Sequence, residues 1–227
     1  HKKGGLKTRI YAGMMLRDWR ALDEKIKQQG RGDKWLRIGA LKEFVDGSLG
    51  SHTAAFYKPF TDTPTDSGFF VIEEQELYKR IKSADSAGLQ IMTHAIGDKA
   101  IHTLLNIYER VAKENGDRDR RFRNEHAQHV DPPDFARFAQ LGVIPSMQPY
   151  HAIDDGRWAE KVIGYERCKT TYAFKSYLDV NAKLVFGSDW FVAPPIPLYG
   201  IYAAVTRQTL DDKNPNGWVP EQKISVE

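Results

Sequence analysis

The stretch Gly88-Leu-Gln-Ile-Met-Thr-His94-Ala-Ile-Gly-Asp98, running on into Lys99-Ala-Ile-His-Thr-Leu-Leu105, decides the fold. Leu89, Ile91 and Thr93 belong to a short, partly β-branched run that ends in a glycine turn, which reads as a strand. Ile101, Leu104, Leu105, Tyr108 and Val111 then recur at helical spacing until Asn115-Gly116 stops them. Strand, short turn and amphipathic helix make one βα unit. The turn sets His94 at the C-terminal end of the strand.

The same alternation extends in both directions. Strands are expected at residues 8–14, 36–44, 89–94, 122–126, 143–147 and 183–187. Helices are expected at 18–29, 73–87, 99–114, 132–141, 168–180 and 197–210. Repeated βα units of this kind build a parallel α/β sheet. A closed (β/α)₈ barrel needs eight strands and typically ~250 residues. The expectation is therefore a barrel wall of about six units, or an open sheet of the same units, filling one domain over 1–227. Residues 47–68 are dense in Thr, Ser, Pro and Asp, and a loop of that length points to a lid or binding loop, with an ordered surface excursion as the alternative. Phe69-Phe70, beyond it, is expected in the core. The chain opens loop-like at His1-Lys-Lys-Gly-Gly5 and closes at Ile224-Ser-Val-Glu227, which reads as the start of a helix. Both ends carry the expectation of a piece of a longer chain.

Composition narrows the class. Of 227 residues, 41% are hydrophobic and 28% charged, which suits a globular domain and excludes collagen-like or disordered chains. No apolar run approaches the ~18 residues of a membrane span. Basic residues number 33 against 30 acidic, a net +3 without a basic stripe, so nucleic acid is not an expected partner. The short clusters Lys2-Lys3 and Arg118 to Arg123 are expected to be solvated loops. A single cysteine, Cys168, excludes an internal disulfide and a cysteine-based zinc site. It suits a reducing compartment, and the cytoplasm is the expected location.

In a parallel α/β architecture the chemistry gathers at the C-terminal ends of the strands. Listed in order, those ends offer Lys42 before Asp46-Gly-Ser48, His94, His126 within Asn124-Glu-His-Ala-Gln-His129, Gln148-Pro-Tyr-His151, and Asp189 within Phe186-Gly-Ser-Asp-Trp190. Each has a bland reading alone: a hydrogen-bonded structural histidine, a capping aspartate, a lysine turned to solvent. Four such coincidences at one sheet edge are harder to accept than one metal site. Imidazole nitrogen with carboxylate suits zinc and similar divalent ions.

The strings Leu41-Lys-Glu-Phe-Val-Asp-Gly-Ser-Leu-Gly50, His94-Ala-Ile-Gly-Asp98, Glu125-His-Ala-Gln128, Ser146-Met-Gln-Pro149 and Phe186-Gly-Ser-Asp189 resemble the amidohydrolase superfamily, and within it the amidohydrolase family 3 branch, which includes N-substituted formamide deformylases. The resemblance implies an α/β fold, a TIM (β/α)₈ barrel of the metal-dependent hydrolase type, here incomplete and without the family's β-sandwich. It implies a divalent metal cofactor, zinc foremost, held by Lys42, His94, His126 and Asp189. Lys42 matches a lysine that can be carboxylated to bridge two metals, and Asp189 matches the catalytic proton acceptor. The family's first-strand His-x-His pair has no counterpart among the seven histidines.

The expected activity is hydrolysis of amide-like C–N bonds, not peptide bonds, in a small molecule. A metal-dependent esterase or lactonase and a non-catalytic binding module are the alternatives. Tyr150, His151, Trp190 and His52 are candidate substrate contacts, Asp98 either a cap for the helix at Lys99 or a residue that orients a ligand, and His129 either a support for the site or a surface residue. No membrane partner is expected, and a homodimer is the candidate assembly.

Overall fold

The computed structural model describes residues 4–226; His1 to Lys3, read above as loop, and Glu227 lie outside them. Six parallel strands follow one another around a single sheet: β1 (Ile10–Met15), β2 (Leu36–Phe44), β3 (Gln90–Ala95), β4 (Arg123–His126), β5 (Ile144–Met147) and β6 (Val185–Phe186). Spatial order equals chain order, so each crossover steps one strand onward, which is how a barrel wall is wound. Among the described residues β1 and β6 are not paired with each other, and the wall is open between them.

The outer layer consists of α1 (Trp19–Gln29), α2 (Glu74–Ser86), α3 (Asp98–Asn115), α4 (Asp134–Leu141) and α8 (Phe174–Asp179). Neighbouring members pack on one another, α2 on α3, α3 on α4 and α4 on α8. Leu77 and Ile81 of α2, Ile101, Leu104, Tyr108 and Val111 of α3 and Phe138 of α4 are all buried in one core with Leu41 and Ile91 of the sheet. The helical periodicity read from the sequence is the periodicity of that burial.

Four local expectations need correction. A single helix over 168–180 is instead α7 (Tyr165–Cys168) and α8, because Tyr172 takes φ 49° while its N–H donates to the Gln128 carbonyl at 2.8 Å. That bond ties the segment to the loop after β4. The last helix, α9 (Pro197–Thr206), stops four residues early, where Arg207 turns left-handed at φ 53° and buries its guanidinium against the Trp218, Tyr172 and Thr171 carbonyls. Two short helices, α5 (Pro149–Asp155) and α6 (Ala159–Ile163), occupy a stretch to which the sequence assigned no element. Phe69 is 55% exposed, and of the Phe69-Phe70 pair only Phe70 packs against the core.

The stretch 47–68 is an ordered lobe fastened to the barrel. Leu49, Ala54, Ala55, Phe56 and Phe60 are buried within it. Arg167 holds its far side, donating to the Lys58 and Pro59 carbonyls at 3.0 and 2.9 Å. Its near side lies against the loop after β3, where a Cβ on Gly97 would come within 2.1 Å of the Ala55 carbonyl oxygen. Arg118 and Arg120 are likewise not solvated as expected: both pair with Asp85, whose side chain is fully buried. No helix among the described residues is long and apolar enough to cross a membrane.

The Gly97 contact makes a direct prediction. Gly97→Ala forces the lobe and the β3 loop apart and should lower unfolding stability in urea by about 2 kcal/mol or more. An unchanged urea midpoint would show that the two loops do not meet as described.

Candidate metal centre

The site is assembled from the ends of β2 to β6. Strand register brings Phe44 beside His94 and Ala95 beside His126. His126 and Ala127 then take φ 76° and 46°, so the chain leaves the extended conformation at the last residue of β4. The His94 and His126 rings meet edge to face at 4.5 Å between centroids, and the His151 ring lies parallel to that of His126 at 6.4 Å. His126, His151 and Asp189 each offer a ligand atom within 4.8 Å of the others.

Hydrogen bonds determine which nitrogen each ring presents. Gln148 donates its side-chain N–H to the Ser146 carbonyl at 3.2 Å, which turns its oxygen towards His126 Nδ1 at 2.9 Å. His126 Nδ1 therefore carries the proton and Nε2 keeps its lone pair. His94 is fixed the other way round: Nε2–H donates to the Gly47 carbonyl at 2.8 Å, leaving Nδ1 as the free nitrogen. A carbonyl or amide behind each imidazole is the arrangement that orients metal ligands. His151 Nε2 is buried and has no hydrogen-bond partner among the described residues. An orphaned imidazole nitrogen beside a second histidine and a carboxylate fits a divalent cation of the zinc type, so the residues present suit the implied group.

Burial holds these rings neutral. It lowers the His94 pKa from 6.5 to about 4, with the Lys42 charge adding to the effect and the Gly47 hydrogen bond opposing it. His126 is pushed well below 6.5 by burial and by His94, Lys42 and His151, and His151 is lowered by burial against the pull of Asp189. Lys42 faces the same mouth. Burial lowers its pKa, opposed chiefly by Glu125 and Asp189.

Other sequence-derived candidates sit around this centre rather than in it. Tyr150 lines an apolar cavity of about 240 Å³ between β6, α5 and α9. Trp190 is 69% exposed beside Asp189. His52 is held within its own lobe, 2.9 Å from Asp62 and edge-on to Phe60. Asp98 is the first residue of α3 and accepts the Tyr57 and Lys99 N–H groups. His129 is buried, with Nδ1 at 2.9 Å from the Thr171 hydroxyl, and burial lowers its pKa to about 3.

Sequence reasoning passed over Asp46, whose only signal was an Asp-Gly pair after a strand. Its carboxylate is 1% exposed and accepts the N–H groups of Ala55, Ile96 and Gly97 at 2.9, 3.0 and 2.9 Å. One oxygen also lies 3.6 Å from His94 Nε2. Burial raises its pKa to about 7 against the pull of those three N–H donors.

Two predictions follow from these environments. Asp46→Asn turns one of the two acceptor oxygens into a donor facing a backbone N–H group, and should cost about 1–3 kcal/mol of unfolding stability in urea. An undiminished stability would mean that the carboxylate is dispensable. Lowering the pH has a net destabilising sign. Below 6.5 the unfolded chain takes up protons that buried His94, His126, His129 and His151 refuse. Asp46, at about 7, and Asp155, at about 6, act oppositely, since the folded form binds their protons more tightly than an ordinary carboxylate of 3.8. Burial raises Asp98 in the same sense, so four histidines stand against three carboxyls; the urea midpoint should fall between pH 6.5 and about 4, and a midpoint that rises there would contradict the neutral rings.

A model of the amidohydrolase family matches residues 1–227. Over 207 residues the chain is 46% identical to the protein LONG AFTER FAR-RED 3 of Arabidopsis thaliana, covering 91% of this chain and 35% of that protein. Over 180 residues it is 33% identical to the putative amidohydrolase YtcJ of Bacillus subtilis, covering 79% of this chain and 34% of that one. An uncharacterized metal-dependent hydrolase from Pyrococcus furiosus superposes on 99% of this chain with a TM-score of 0.83 at 33% identity, over 44% of its own length. The chain thus spans about a third of the curated relatives it matches and less than half of the archaeal enzyme. From the family match along its whole length and the shared barrel wall, the chain belongs to the amidohydrolase family.

Proposed function

We propose that this chain supplies the metal- and proton-handling wall of a metal-dependent hydrolase that cleaves amide-like C–N bonds, other than peptide bonds, in a small molecule. The observation that carries the reading is the buried, unpartnered Nε2 of His151 grouped with His126 and Asp189 at the strand ends. The class of reaction is supported by the family and by the archaeal structure described as a metal-dependent hydrolase.

A divalent cation there, with zinc favoured by the donor set, supplies Lewis acidity that draws a water's pKa towards neutrality and polarises a carbonyl. The chain's own groups do the rest. His126 and His151 are kept neutral by burial, so their nitrogens are available at neutral pH without first losing a proton. Asp189 is exposed at the mouth and its carboxylate oxygen accepts the proton of the attacking water, then returns it to the leaving amine nitrogen. Lys42, shifted by burial towards the neutral amine, is suited to add its nitrogen to carbon dioxide and lose one N–H proton to solvent, giving a carbamate anion that would help hold the cation beside His94 and His126. Tyr150 and Trp190 flank the opening as substrate contacts.

The test is metal content by mass spectrometry on the wild-type chain and on His126→Ala and His151→Ala, with a matched panel of small amides and esters. Near-stoichiometric zinc that falls at least about tenfold in each variant, with amide turnover abolished by chelation and restored by zinc, is the expected result. Metal retained in both variants would overturn the site. Turnover of esters alone would overturn the C–N assignment, and a folded chain that takes up no metal would favour a binding module.

A further inference from the structure

The end of the barrel wall opposite the histidines encloses a second concavity. The first or second residue of each of the six strands lines it, and the turns that lead into the strands complete a cavity of about 680 Å³. Six arginines converge there: Arg31, Arg37, Arg118, Arg120, Arg121 and Arg123. Three carboxylates answer them. Asp85 pairs with Arg118 and Arg120, Asp119 with Arg121, and Glu125 with Arg123. Six guanidinium groups against three carboxylates leave a surplus of three positive charges, as large as the +3 of the entire chain.

The surplus is concentrated at one place. Arg31 donates to the Gly88 carbonyl at 2.9 Å and to no carboxylate, and Arg37 has no side-chain hydrogen bond or ion pair among the described residues. Both lie by the Tyr11 hydroxyl: Arg31, Arg37 and Arg123 all pull its pKa down, although burial raises it overall. Glycine at position 39 permits the cluster, since a Cβ there would fall 2.3 Å from Arg31 Nη1 and 3.4 Å from the Tyr11 hydroxyl oxygen. A cleft with low-dielectric walls and one sign of charge focuses potential and concentrates anions. Guanidinium forks match phosphate oxygens in paired hydrogen bonds.

We propose that this cavity binds the di- or triphosphate group of a phosphorylated small molecule. A surplus of three charges calls for a multiply charged anion rather than a single phosphate, and the volume is of the size that holds a nucleotide-sized ligand. The site is at the strand starts, at the other end of the wall from the histidines of the hydrolytic centre.

Calorimetric titration of the metal-free full chain, freed of metal by chelation, tests the proposal with tripolyphosphate, ATP and AMP as probes. Tripolyphosphate and ATP should each saturate at one per chain, AMP should bind at least about tenfold more weakly, and affinity should fall steeply with added salt. Tighter binding of ATP than of tripolyphosphate identifies a nucleotide; equal binding identifies the phosphate chain alone. Arg37→Ala, which removes no side-chain hydrogen bond or ion pair among the described residues, should weaken tripolyphosphate about tenfold or more with an unchanged far-ultraviolet spectrum. His126→Ala should leave binding unaltered. Absence of saturable binding, equal affinity for AMP, full affinity in Arg37→Ala, or loss of binding in His126→Ala would each overturn the proposal.

Discussion

The carboxylate of Asp46 holds three separate stretches of chain in one arrangement. It leaves the end of β2 and accepts N–H groups from Ala55, in the lobe, and from Ile96 and Gly97, in the loop after β3. Hydrogen bonds to a charged acceptor are worth about 1.5–3 kcal/mol each, enough for three of them to offset much of the desolvation of a fully buried carboxylate. The ends of β2 and β3 and the lobe meet at this junction. Val45 donates to the His94 carbonyl, Gly47 accepts from His94 Nε2, and the lobe is pressed against Gly97.

The site therefore stands on a rigid frame rather than on a mobile flap. Two of the three imidazoles are oriented by a group behind them, Gly47 behind His94 and Gln148 behind His126, and burial keeps these rings unprotonated. Asp189 is the exception, exposed and three residues beyond β6, whose own two residues are both exposed. The division suits the chemistry proposed. Ligands benefit from a dry, fixed setting, whereas a group that moves a proton between water and a leaving amine needs access to both.

Much of this was legible in the sequence because it depends on local pattern. The alternation of β-branched runs with helical spacing predicted β2 over its full observed range and the other strands to within a few residues, except that β6 is shorter. Residues at strand ends were predictable as well, since a parallel sheet directs them to one mouth whatever the details of packing. Where helices broke, the cause lay elsewhere in the chain: the Gln128 carbonyl that captures Tyr172, and the Trp218 carbonyl that captures Arg207.

The sequence by itself determined the βα grammar, the open-ended barrel wall and the placing of Lys42, His94, His126 and Asp189 at its C-terminal edge. Tertiary structure alone decided which nitrogens are free, that His151 joins His126 and Asp189, that Asp46 is buried beneath three amides, and that Arg31 and Arg37 meet Arg118 to Arg123 across the strand starts. The physical reason is range. Strand and helix periodicity is carried by neighbours a few residues apart, whereas His94 is oriented by a carbonyl 47 positions away and His126 by an amide 22 positions away. Contacts of that separation, and the pKa values they set, exist only once the wall is wound.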